Sequence, residues 1–145
     1  MAISQLCGGK IGGGEFEYRQ GYKFESSDLA IAANATWSTG SSYVDVETAG
    51  IAQIVIKATG ANAGSAGVVT FSFVAVGAAS GMTVPVTPSF TKTLTVAGTD
   101  AKAIDFLVDC SAYGKIKLLS VANGDAAHGL TGVNAEIFWK VKRAY

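Results

Sequence analysis

One histidine, two prolines and two cysteines occur in the 145 residues, and only 15% of the side chains are charged. Each scarcity closes off a class of function. With His128 alone, a zinc or iron centre lacks imidazole partners. A Ser-His-acid triad would have to use this single ring, and no Gly-x-Ser-x-Gly elbow accompanies any serine. His128 stands among turn formers in the run from Asn123 to Gly129 and reads as a loop histidine. Cys7 and Cys110 are isolated thiols, which form neither a disulfide framework nor a zinc set and fit a reducing compartment. No stretch approaches the ~18 apolar residues of a membrane span. Met1 to Cys7 has neither the charged start nor the apolar length of a signal peptide. The chain is therefore expected to be made in the cytosol and to leave it only within something larger. The tripeptide Asn34-Ala35-Thr36 accordingly reads as part of a strand and not as a glycan acceptor.

Charge of either sign is also lacking in excess. Eleven basic residues balance eleven acidic ones, so no net field draws in nucleic acid or an anionic membrane. Lys140, Lys142 and Arg143 are the one basic concentration, too small a footprint for a duplex. Paired carboxylates are the remaining route to catalysis. Asp100, Asp105 and Asp109 bracket an apolar run, but an aspartate at a strand end caps its turn, and Asp105 in mid-strand reads as solvent-facing. Gly12-Gly13-Gly14 is followed by neither the lysine nor the helix of a phosphate-binding loop. Asp125 with Asn123 has too few carboxylates nearby for a strong calcium site and reads as a turn. No enzyme activity, cofactor or metal is expected.

What the sequence does have is apolar alternation. Hydrophobic residues make up 49% of the chain and glycine 18 positions, enough for one domain with a core of its own and an unusually neutral surface. Such a surface is weakly protected against association and suits a protein that works in an assembly. From Leu29 to Trp37 one parity is apolar: Leu29, Ile31, Ala33, Ala35 and Trp37. A short helix over Leu29 to Ala35 is the alternative there. Further β-rich runs cover 43–46, 53–58, 68–76, 90–96, 104–108, 116–121 and 133–141, mostly separated by Gly, Ser, Asn, Asp or Pro. The runs 68–76 and 133–141 put Phe71 and Phe73, and Ile137 and Trp139, on one side each, as central strands would. About eight strands in a chain of this size predict an all-β, two-sheet sandwich of jelly-roll or related Greek-key type.

Two segments stand outside that core pattern. Residues 1–27 form a glycine-rich N-terminal arm, followed by the sandwich domain over 28–145. The arm carries Phe16, Tyr18, Tyr22 and Phe24 between charged residues, large rings that a pure linker rarely keeps, so it is expected to order by docking on a subunit. A first edge strand on its own domain is the competing reading. The loop from Gly77 to Pro88 contains Met82, Pro85 and Pro88, whose prolines exclude it from a sheet interior and mark it as a contact loop. At a shift of 64 positions, Asp45, Gly50, Ala58, Gly60, Ala63 and Val69 fall on Asp109, Gly114, Ala122, Gly124, Ala127 and Val133, as two duplicated halves would.

The stretches 42–46 with 54–56, 71–73, and 108–118 resemble the strand-turn-strand patterns of phage capsid decoration, or cement, proteins. That resemblance covers Leu29 to Val141. It implies a small sandwich without an active site, assembled in the host cytoplasm and seated on the capsid surface of the virion. Its partners would be the major capsid protein and other copies of itself, often as trimers, with the arm bridging subunits. A receptor- or carbohydrate-binding sandwich of a phage tail or fibre is the rival, as is another shell or tail subunit. The first rival would present aromatic platforms on loops, whereas Trp37 and Trp139 match the apolar parity and read as buried.

Overall fold

Alternating side chains need a second apolar face to cover them, and the chain supplies it by folding into two layers. The computed structural model describes residues 15–38, 42–77, 89–111 and 113–144. Their strands are β1 (Glu15–Lys23), β2 (Leu29–Ile31), β3 (Thr36–Ser38), β4 (Val44–Asp45), β5 (Ile51–Gly60), β6 (Ala66–Val76), β7 (Phe90–Ala97), β8 (Ala101–Asp109), β9 (Lys115–Asn123) and β10 (Leu130–Ala144). No helix occurs among the described residues. Sheet A runs β1-β10-β5-β8 with β2 also on β10, and sheet B runs β3-β9-β6-β7 with β4 also on β9. All pairings are antiparallel. The pairs β2·β10, β3 or β4·β9, β5·β8 and β6·β7 nest inside one another along the chain, the order a jelly roll requires. The expected all-β, two-sheet sandwich is the observed architecture.

Strand β5 shows why the layers hold. Ala52, Ile54, Ile56 and Ala58 are buried, while the residues between them are at most half-buried. Val133, Ala135, Ile137 and Trp139 of β10 lie beside them on the same face, and Phe71, Phe73, Ile116, Leu118 and Val121 of sheet B close over from the other side. Removing these groups from water is the main stabilising term, at ~25 cal/mol per Å² of apolar surface. Strands β6 and β10 are indeed interior strands of their sheets.

Phe73 is the ring on which several elements meet. Its centroid lies 5.5 Å from Phe24, 5.1 Å from Phe90 and 6.1 Å from Phe106. Phe90 and Phe106 pack edge to face at 6.3 Å, and Lys92 lies 5.2 Å over the Phe106 ring. These contacts close the flank where β7 and β8, the last strands of the two sheets, approach each other.

Two segments differ in shape from the alternation pattern. Leu29 to Trp37 is neither one strand nor a helix: β2 belongs to sheet A and β3 to sheet B, with a turn between. Asn34 makes that turn in the left-handed region, at φ 52°, which ends any continuous strand. Its N–H donates to the Asp125 carbonyl at 2.8 Å, and the Ala35 N–H donates to the Ala32 carbonyl at 3.2 Å. From Glu15 the chain is already in sheet A. Strand β1 pairs with β10 in unbroken register from Glu15 opposite Ala144 to Lys23 opposite Glu136. Residues 1–14 lie outside the described residues.

The β1-to-β2 connection is pinned by a buried amide. In β10 the pairing register shifts between Leu130 and Val133, where Gly132 takes φ 58° and forms a bulge. Just beyond it, buried Asn134 donates to the Glu25 carbonyl and to Asp28 Oδ1, both at 3.1 Å, and accepts the Ala135 N–H at 2.8 Å. Asp28 in turn pairs with Lys57 at 3.0 Å. Asn134 and Lys57 together hold the Asp28 carboxyl below its ordinary pKa.

The positions matched at a 64-residue shift fall on corresponding places in opposite sheets. Strand β5 of sheet A corresponds to β9 of sheet B, and β6 of sheet B to β10 of sheet A. Gly60 ends β5 and Gly124 directly follows β9, each where a Cβ would strike backbone, of Gly98 and Val68 respectively. Asp45 and Asp109 each accept the N–H two residues on, from Glu47 and Ser111, at 3.0 Å.

Truncation at the hub separates packing from surface effects. Phe73→Ala should lower unfolding free energy by about 3–5 kcal/mol in a denaturant titration, whereas Leu107→Ala, on the exposed face, should stay within about 0.5 kcal/mol.

Candidate functional site

The turn formers around His128 build a buried polar junction at one end of the sandwich. Asp125 accepts the Ala66 N–H on Oδ2 at 2.9 Å, and the Ala127 and His128 N–H groups on Oδ1 at 2.9 and 3.1 Å. His128 Nδ1 lies 3.2 Å from Oδ2. Asn123 donates to the carbonyls of Ala32 at 3.1 Å and His128 at 2.9 Å, and accepts the Asp125 N–H at 3.0 Å. The junction thereby ties the β9–β10 loop to the β2–β3 turn and to the start of β6. The Ala66 N–H first, then those of Ala127 and His128, lower the Asp125 pKa to about 2. Its oxygens are taken up by protein donors, which gives this carboxylate a structural turn role. Among the described residues no group of three or more His, Cys, Asp or Glu side chains is placed to share a metal ion.

The other carboxylates behave as the sequence suggests. Asp109 accepts from the Ser111 hydroxyl at 2.6 Å and from the Ser111 N–H, which lowers its pKa. Asp105 faces solvent on β8 and accepts from Gln53 at 2.8 Å. Cys110 is buried at the end of β8, and burial raises its thiol pKa.

The outward face of sheet A carries the two most exposed large apolar side chains among the described residues. Ile51 on β5 and Leu107 on β8 are 64% and 71% exposed. Register places Ile51 opposite Asp109, and Gln53 between Leu107 and Phe138. Phe138 is shielded: its ring lies over Gly21, where a Cβ would strike it, and the Arg19 guanidinium sits 4.3 Å above it. Arg19 also donates to Gln53. Ile51 and Leu107 border a shallow hollow of about 450 Å³ that reaches Arg19 and Lys140.

On the flank opposite the Phe90–Phe106 contact, a cleft of about 550 Å³ opens between β1 and the segment from Ser42 to Thr48. Tyr22 stacks on Trp139 with centroids 5.6 Å apart, and accepts a hydrogen bond from Gln20 at 2.6 Å. Tyr43 forms part of the wall, with Lys117 5.1 Å from its ring centre.

The expected contact residues are thus distributed as follows. Phe16 lies in β1 opposite Arg143, and half-buried Tyr18 opposite Val141. Tyr22 lines the cleft, and Phe24 is 4% exposed in the core of its own chain. Met82, Pro85 and Pro88 lie outside the described residues. Of the two tryptophans expected inside, Trp139 is buried and Trp37 half-buried. Alternation did not single out Ile51 and Leu107 as exposed. The signal lay in the register: both share their face with Gln53, Asp105 and Asp109.

No protein-family model matches the chain, and no curated protein does. Solved structures match it at low identity. The infectious bursal disease virus VP2 subviral particle is 8% identical with a TM-score of 0.50, over 84% of this chain and 32% of that one. The chain thus spans about a third of that viral chain. PRD1 vertex protein P5 matches at 14% identity and a TM-score of 0.44, over 84% and 93% of the two chains. The SPBc2 prophage-derived protein YomS matches at 13% identity and a TM-score of 0.41, over 86% and 95%. The likeness to the VP2 chain is one of fold.

The Asp125 junction sets an acid limit. Because the folded-state pKa lies below the ordinary 3.8, the carboxylate's contribution is complete above that value and is lost as pH falls through about 2. Denaturant titrations should show stability falling between pH 4 and pH 2. Asp125→Asn should be less stable at neutral pH and show a shallower fall across that window.

Proposed function

We propose that this chain is a virion structural protein of the decoration or cement type, docking on the major capsid protein through the outward face of sheet A and bridging subunits as a homo-oligomer. The observation that carries this reading is the exposed pair Ile51 and Leu107, on adjacent strands of a rigid sheet. Two large aliphatic side chains left in water on one face suit the apolar centre of an interface, and the surrounding Arg19, Gln53, Asp105 and Asp109 suit its polar rim. The neutral surface and the fold shared with a subunit of a viral particle support the same assignment. A stable contact buries about 800 Å² on each partner, so neighbouring strands of the face would take part.

In this reading attachment does not rest on the rings of the N-terminal segment. Phe24 already packs against Phe73, and Tyr22 against Trp139, so these rings stabilise their own subunit. The preformed sheet face is the better docking element, because its side chains lose little freedom on binding.

Co-sedimentation with capsid shells of the parent virus tests the proposal. The native chain should pellet with shells, and Ile51→Lys with Leu107→Lys should remain in the supernatant while keeping a β-type circular dichroism spectrum and an unchanged melting temperature. Equal attachment of the folded double variant would remove sheet A from the interface.

A further inference from the structure

Beyond the bulge at Gly132, β10 places Asn134 on the outward side of sheet A, directly opposite Lys57 of β5. Residues so opposed in an antiparallel pair carry their Cβ atoms about 4.5–5.5 Å apart, within the length of a lysine stem. The connection from β1 to β2 bonds to the Asn134 amide, which is fully buried. One carboxylate joins the two side chains. Asp28 Oδ2 lies 3.0 Å from Lys57 Nζ, and Asp28 Oδ1 accepts from Asn134 Nδ2 at 3.1 Å. The carbonyl end of the amide is held as well: Asn134 Oδ1 accepts the Ala135 N–H at 2.8 Å and the Glu25 N–H at 3.3 Å.

Pinning the β1–β2 connection requires only the bonds from Asn134 to Glu25 and Asp28. The lysine on the second oxygen of the same carboxylate sets three groups in reacting order: an amine, a proton carrier and a carboxamide. Two N–H groups aimed at a carbonyl oxygen stabilise the negative charge that grows there when its carbon is attacked. A carboxylate in contact with both nitrogens takes a proton from one and hands it to the other. Holding the three groups on a folded scaffold removes the entropy of bringing them together.

We propose that Lys57 and Asn134 join in an intramolecular isopeptide bond, with Asp28 as the proton carrier. Lys57 Nζ passes a proton to Asp28, and the freed electron pair attacks Asn134 Cγ. The new C–N bond moves the carbonyl electrons onto Oδ1, under the Ala135 and Glu25 N–H groups. Asp28 then delivers its proton to Nδ2, the Cγ–Nδ2 bond breaks with its pair on the leaving nitrogen, and the carbonyl re-forms. The excess proton on the new amide nitrogen goes to the departing ammonia, so one ammonium ion is released and nothing is oxidised or reduced. The Lys57 and Asp28 side chains are 37% and 41% exposed, which gives that ion a path to water. The bond ties β5 to β10, the two inner strands of sheet A, in a chain whose isolated cysteines provide no disulfide framework. It forms within one copy and does not rest on the capsid reading.

Intact mass and tryptic mapping of the native chain test the proposal. The expected result is a mass one ammonia below that of the sequence and a branched peptide containing both Lys57 and Asn134. Only the neutral amine attacks, so the initial coupling rate should rise about tenfold per pH unit from pH 7 to pH 9. Lys57→Arg keeps a cation beside Asp28 without a nucleophile; it should keep the β-type circular dichroism spectrum and the full mass, and melt below the coupled chain. Asp28→Ala should slow coupling about a hundredfold or more. A native chain of full mass after prolonged incubation at pH 9, conversion of Asn134 to aspartate with Lys57 free, or a bond from Asn134 to another lysine would each overturn the assignment.

Discussion

Everything in this sandwich depends on aromatic and branched side chains of sheet B meeting a smooth aliphatic face of sheet A. Phe71 and Phe73 project from β6 onto a surface made by Ala52, Ile54 and Ile56 of β5 with Ala135 and Ile137 of β10. Small residues next to large ones let the layers interdigitate at the density of a protein interior. Phe73 then gathers the ends of the chain's path, since its neighbours Phe24, Phe90 and Phe106 come from three separate connections or strands. A two-sheet sandwich paired in this nested order is rich in long-range pairings and short of local ones, so a shared ring cluster of this kind offsets much of the entropy of closing those loops.

The strands from β5 onward were legible because they are runs of bulky and β-branched side chains set off by turn formers. The boundary at β2 and β3 was not, for a physical reason. Ala33 and Ala35 fit an apolar parity as well as they fit a turn, and only Asn34 marks the left-handed residue that diverts the chain to the other sheet. Strand β1 was only the competing reading of its segment: Gly21 and the neighbouring glycine-rich stretch suggested an arm that orders by docking, although Tyr18, Tyr22 and Phe24 keep one parity against Arg19 and Lys23. The glycine is there to admit the Phe138 ring, a cross-strand requirement that no local window reveals.

The candidate surfaces were less readable than the fold. Composition pointed to a neutral, association-prone exterior, yet the positions of Ile51 and Leu107 follow from sheet register and from β8 being an outermost strand. The Asp125 junction shows the reverse case. Its residues were visible as turn formers, but their hydrogen bonds run to Ala66, Asn34 and Ala32, far away in sequence, and make a rigid clamp from what reads locally as a loose loop. Of the two faces that distinguish the molecule, one is thus a property of pairing and the other of loop closure.

The bulge at Gly132 carries a consequence for how the long last strand serves two partners. Before it the inward residue is Leu130, at an even position; beyond it Val133, Ala135, Ile137 and Trp139 point inward from odd ones. Gly132 is thus a phase shifter, and it keeps the inner side greasy from Leu130 to Trp139 while the strand first splices to β2 and then to β1. Without that half-step, the stretch from Val133 to Trp139 would turn its aliphatic row to water and Glu136 to the core, so the integrity of two neighbouring strands hinges on one left-handed glycine.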